Sequence, residues 1–231
     1  MKPEQIGIMD EKHLLYSLRG EEKELPSADG AVILLPSLTA DFYVTSSPSG
    51  RRECADYYTA AVCAAAFLTL KRGLPLAEIT FDTPDGSIEI FCTGGGLFTF
   101  NIPKCRLLST ESREIMGCEV KSADVFVKNR YRVIHTATDE GFDGKVLPTF
   151  LTEAHPMPTA VVHSYFGDGN LNFSAYCGQA VKKPTPLSLF AAAAYNAYFA
   201  LGMGAHFTHG DTAASLTPSG VKITTGAFIL K

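Results

Sequence analysis

The chain has 231 residues, enough for one large domain or two of roughly 110 residues each. Its 46% hydrophobic and 19% charged residues describe a packed globular protein and exclude a disordered one. The net charge of −4, with basic residues in scattered pairs (Arg51-Arg52, Lys71-Arg72, Lys182-Lys183), speaks against nucleic-acid and anionic-membrane partners.

The opening MKPEQIGIMD puts acidic residues where a secretory leader needs an apolar core. Strands are predicted at Ala31–Leu35 and Asp41–Thr45, the second alternating Phe42 with Val44. The turn-rich Ser46–Gly50 then leads into a helix over Asp56–Arg72. Lys71 and Arg72 suit its negative C-terminal dipole, Gly73 suits the position after it, and Pro75 stops propagation. Five alanines at 60, 61, 64, 65 and 66 leave little bulk, so surrounding strands can approach closely. Short strands follow at Glu78–Asp82, Ser87–Cys92 and Leu97–Ile102, joined by the hairpin compositions Pro84-Asp85-Gly86 and Gly94-Gly95-Gly96.

The second half repeats this order. Strands are predicted at Ala123–Val127, Tyr131–Thr136, Ala160–Tyr165 and Leu171–Tyr176. A turn-like Gly178–Pro186 leads to a second Ala-rich helix, Leu187–Leu201, which is too interrupted by Tyr and Asn to span a membrane. Two last strands, Ala213–Leu216 and Val221–Leu230, flank Pro218-Ser219-Gly220. The reading is an internal duplication, lobes 1–113 and 114–231, with the hinge at about 105–120 and the final strand free to return to the first lobe.

Six cysteines, at 54, 63, 92, 105, 118 and 177, include no CxxC, which predicts reduced thiols and a cytoplasmic protein. Cys63 and Cys92 read as core residues, and so does Cys54 on composition alone. His206, His209 and Asp211 read as a loop after a helix, so their spacing predicts no metal site.

Several segments, taken in order, resemble the diaminopimelate epimerase family. They are Asp29-Gly30 before the AVILLP strand, Ser47-Pro48-Ser49 before Cys54, and the Ala-rich helix closing in Lys71-Arg72-Gly73-Leu74. Thr83-Pro84-Asp85-Gly86, Phe100-Asn101-Ile102-Pro103, Lys128-Asn129-Arg130-Tyr131 and Thr224-Thr225-Gly226-Ala227 continue the match. The resemblance implies an α+β fold of two pseudo-symmetric lobes, each a curved, mostly antiparallel sheet or barrel around a central helix. It implies a small amino-acid-like or carboxylate ligand in a cleft between the lobes, no cofactor, and a chain able to form a homodimer.

In that family two cysteines at the two helix starts exchange a proton across the substrate α-carbon, and each thiolate is favoured by a helix N-terminus. Cys54 matches the first of them and is the candidate catalytic residue. Around it the family's C-G-N-G becomes Cys54-Ala55-Asp56-Tyr57, where Asp56 opposes ionisation of the thiol, Tyr57 and Tyr58 narrow the anion site, and Arg51 and Arg52 offset the charge. In the second lobe the E-R-G-x-G-E-T-x-A-C-G-T-G pattern becomes Cys177 to Leu189, with Pro186 or Ser188 at the position of the second cysteine. Asp56, Tyr57, Asn129, Thr185 and Ser188 are therefore the substrate-binding candidates, although Thr185 and Ser188 also read as helix caps. The expectation is a one-base isomerase or dehydratase acting α to a carboxylate; the alternative is a binding scaffold that has lost catalysis.

Overall fold

A computed structural model describes residues 4–8, 11–17, 30–46, 57–115, 117–139, 142, 160–177, 180–182 and 187–230. Two compact units emerge, Met1–Asn101 with Thr224–Lys231, and Ile102–Ile223.

The first unit holds β1 (Glu4–Ile8), β2 (Glu11–Ser17), β3 (Gly30–Pro36), β4 (Phe42–Ser46), α1 (Tyr57–Ala66), β5 (Glu78–Thr83), β6 (Gly86–Gly94) and β7 (Leu97–Pro103). These strands pair in chain order, and β16 (Gly220–Ile229) lies beside both β7 and β1, closing the ring. The β2–β3 and β4–β5 pairs are parallel. Helix α1 packs against β1 to β6 and so occupies the interior of the ring. Nine of its ten residues are buried, which explains why it carries no polar stripe: strands surround it on every side.

The predicted helix end differs in detail. Residues Phe67–Lys71 widen into a π-helical turn, where the Arg72 N–H donates to the Phe67 carbonyl at 3.0 Å. The Thr69 hydroxyl bonds the Ala65 carbonyl at 2.8 Å, a back-bond that bends helices.

The second unit holds β8 (Arg106–Ile115), β9 (Cys118–Val127), β10 (Asn129–His135), β11 (Ala160–Gly167), β12 (Asn170–Cys177), β13 (Ala180–Lys182), α2 (Leu187–Phe199), β14 (His206–His209) and β15 (Thr212–Thr217). One sheet runs β13-β12-β11-β10-β9-β8, and β14 and β15 continue from β16. Helix α2 packs against β8 to β12 and β15.

The duplication is visible in the pairing. Antiparallel, parallel, antiparallel describes β1–β2–β3–β4 and again β9–β10–β11–β12. Each set is followed by a buried helix and three strands, β5–β6–β7 or β14–β15–β16. The equivalence extends to the connections: β8, which continues from β7, flanks β9 as the end of β16 flanks β1.

Three segments depart from the sequence reading. The expected hinge at 105–120 is mostly the β8–β9 hairpin. Within the turn-like 178–186, Ala180–Lys182 pairs with β12. The expected loop at 206–209 is β14, paired with β15, so His206 and His209, three apart, face opposite sides.

Candidate functional site at the start of the second helix

Helix α2 begins inside the second unit. Leu187, Ser188, Leu189 and Phe190 are all at most 5% exposed, and the first turn holds no acidic residue. The opening backbone N–H groups of a helix lack intrahelical partners and carry partial positive charge, so a buried first turn without carboxylates favours an anionic ligand.

Side chains near it have the same character. The Ser188 hydroxyl lies 3.3 Å from the Tyr131 hydroxyl, and Tyr131 is 3% exposed. Asn129 precedes Tyr131 by two residues on β10, which places it on the same face, and it is exposed. Asn129, Tyr131 and Ser188 together offer amide and hydroxyl donors, the groups that bind a carboxylate, and none is a base at neutral pH.

The opposite face of β10 fixes that strand in register. Arg130 and Arg132 both bond the carboxylate of Asp124 on β9, Arg132 through Nη2 to Oδ2 at 3.0 Å as well as through Nε. Burial alone pushes the Asp124 carboxyl up, but hydrogen bonds and charge from the two guanidiniums outweigh it and hold the group below its ordinary value.

Among the other predicted positions, Tyr57 is the first residue of α1 in the first unit and is half-buried. Its neighbour Tyr58 turns into the core and stacks on Phe100, with ring centroids 5.4 Å apart. Cys54, Asp56 and Thr185 lie outside the described residues. Cys63 is fully buried and Cys92 half-buried. Burial pushes the Cys92 thiol up, and that of Cys105 to about 11, so neither is a ready thiolate. His206 bonds Ser215 at 2.9 Å, whereas the His209 ring lies 4.8 Å from that of Phe173. Among the described residues no group of three or more His, Cys, Asp or Glu could hold a metal ion. Tyr131 is the participant that sequence reasoning passed over; it sits in the Lys128-Asn129-Arg130-Tyr131 match, two residues after the Asn singled out there.

Two sheet-and-helix units of repeated topology, linked by a shared last strand, define an α+β, roughly pseudo-symmetric two-domain protein of the PhzF-like and proline racemase-like fold. A phenazine biosynthesis protein of the PhzF family from Enterococcus faecalis is similar over 100% of this chain and 98% of its own, with a TM-score of 0.70 at 11% identity. A probable proline racemase from Agrobacterium radiobacter, with bound carbonate, has a TM-score of 0.67 at 13% identity, covering 99% of this chain and 90% of its own. A hydroxyproline epimerase from Agrobacterium vitis, holding trans-4-hydroxy-L-proline, has the same TM-score and coverage at 14% identity. The sequence matches no protein-family model and no curated protein. No described helix is long and apolar enough to cross a membrane.

Proposed function

We propose that this chain is a divergent, cofactor-independent isomerase of the diaminopimelate epimerase and proline racemase type, acting with a single base at a carbon α to a carboxylate. The observation that carries the reading is the buried start of α2, where the side-chain chemistry is that of the Ser188–Tyr131 hydroxyl pair. Such a pair, with Asn129 two residues before Tyr131 on the same face of β10, donates hydrogen bonds to a carboxylate but does not abstract an α-proton.

The base is then Cys54, whose thiolate takes the α-proton while the electron pair is delocalised into the carboxylate. Return of that proton by the same thiol only exchanges it with solvent, whereas delivery of a proton from water to the opposite face of the planar intermediate completes the isomerisation. Departure of a leaving group from the β-carbon instead gives elimination, with the proton kept on sulfur. Bound carbonate and trans-4-hydroxy-L-proline in the two Agrobacterium structures indicate which probes to try first.

The test is incubation with trans-4-hydroxy-L-proline and a panel of α-amino acids in D₂O, followed by proton NMR of the α position. Deuterium incorporation should appear for at least one compound and vanish in Cys54→Ala. Ser188→Ala should raise KM by about tenfold with a smaller effect on kcat, as expected for a group that binds ground and transition states alike. Incorporation that persists in Cys54→Ala removes this mechanism.

A second reading, a ligand-binding protein without catalysis, is favoured by the same hydroxyl pair, which offers recognition and no base. It predicts thermal stabilisation by a carboxylate ligand in the absence of deuterium incorporation from any compound that binds.

A further inference from the structure

A separate recess lies at the other end of α2. The helix has 13 residues, so its first and last residues are about 18 Å apart at the usual rise per residue. Beyond the last turn, Leu201 and Met203 join Glu119 and Lys121 of β9, His135 at the end of β10, and Phe142 around a cavity of about 430 Å³. That is within the size range of small-molecule sites.

Its walls are held from behind. The Phe142 ring lies flat on the fully buried His163, with centroids 3.6 Å apart and planes 3° from parallel. The Thr136 hydroxyl, also on the cavity wall, bonds the Thr138 carbonyl at 2.6 Å and His163 Nε2 at 2.7 Å. Because the hydroxyl proton goes to the carbonyl, the imidazole N–H donates to Thr136.

The polar groups are placed to read a zwitterion. Lys121 stands directly opposite His135 in the β9–β10 register. His135 Nδ1 lies 3.2 Å from the Ser164 hydroxyl, which itself reaches the Ile134 carbonyl at 3.5 Å. In that arrangement Nδ1–H donates and Nε2 is left as an acceptor. Lys121 and Glu119 form a loose pair at 3.8 Å. A ligand bearing one positive and one negative group can insert there and replace one long contact with two short ones.

We propose that this recess binds a free α-amino acid with an apolar side chain: its carboxylate on Lys121, its ammonium on Glu119 and His135 Nε2, and its side chain against Leu201 and Met203. The site is distinct from the Ser188–Tyr131 end of the helix and holds no nucleophile the proposed chemistry uses.

Isothermal titration of the full chain with L-leucine, 4-methylpentanoate (no ammonium) and isopentylamine (no carboxylate) tests it. L-leucine should bind saturably, and each analogue should bind at least about tenfold more weakly. Lys121→Met and Glu119→Gln, both on exposed side chains, should each weaken L-leucine by about tenfold or more, with melting temperatures unchanged. Ser188→Ala should leave this binding as it is. Absence of L-leucine binding into the millimolar range, analogues that match it, or binding that responds to Ser188→Ala and not to Lys121→Met or Glu119→Gln would each overturn the proposal.

Discussion

At Gly220 the chain has a carbonyl where any other residue would have a side chain: a Cβ there would lie 2.0 Å from the Ile102 oxygen, at a φ of 150°. No rotamer relieves a clash with backbone, so Gly220→Ala should lose about 3 kcal/mol or more, read from the urea midpoint. Asp124 makes a prediction about acid. Its carboxyl is held down in the folded state, so its contribution to stability is present above the ordinary carboxylate pKa of about 4 and is lost as pH falls through the depressed folded value. Asp124→Asn should flatten the stability–pH curve in that acidic range and cost about 1–3 kcal/mol at neutral pH, where two arginines lose their anion. His135 loses stability in the same direction, for a different reason. Burial, helped by the charge of Lys121, pushes it down to about 4, so the folded state keeps it neutral. Stability from this group is complete above its unfolded pKa of about 6.5 and declines as pH falls from there toward 4. An NMR titration of the ring should show a midpoint near 4.

At the scale of elements, both helices are almost wholly buried, and alanine makes that feasible. Ala191, Ala192, Ala193 and Ala194 are each 0% exposed, as are Ala60, Ala61, Ala64, Ala65 and Ala66. Interiors are packed to the density of crystals, so Ala192→Leu or Ala64→Leu should destabilise by about 1–3 kcal/mol rather than gain from added hydrophobicity, as thermal denaturation would show. These helices were legible in the sequence because alanine, glycine and proline mark both their content and their ends. The strands that lay hidden share a physical reason. β8 (RLLSTESREI) is exposed along nearly its whole length, so no alternation between core and solvent is written into it. β13 has three residues, and β14 hides in HFTH, a composition that suggests ligation before it suggests a strand. The Ser188 hydroxyl was legible as a helix-start group, whereas its Tyr131 partner depends on β10 passing beside α2 across 57 residues of sequence. The recess below α2 was invisible for the same reason, since it draws on stretches near 118, 135, 142 and 202.

For the whole molecule, the feature with most leverage is the last strand. Residues 220–223 belong to the second unit, and from Thr224 onward the same strand completes the first. There Ile6, Gly7 and Ile8 pair with Ile229, Phe228 and Ala227, the Ala227 N–H bonds the Gly96 carbonyl at 2.9 Å, and Thr224 meets Thr99 at 2.9 Å. Removing residues 224–231 strips β1 and β7 of the β16 segment beside them, leaving β1 paired only with β2 and opening an edge on β7. Hydrogen exchange should then show protection lost across residues 4–101 and retained in 102–223, whereas uniform loss would mean that the two units unfold together.

That same arrangement sets an order on manufacture. A ribosome adds about 5–20 residues per second, so residues 1–101 wait roughly 6–25 s for the 122 that separate them from Thr224. The unit made first is the last to close, and through that interval two strand edges stand open to any other chain emerging nearby. Crowded expression should therefore cost this protein in aggregates before it costs it in stability.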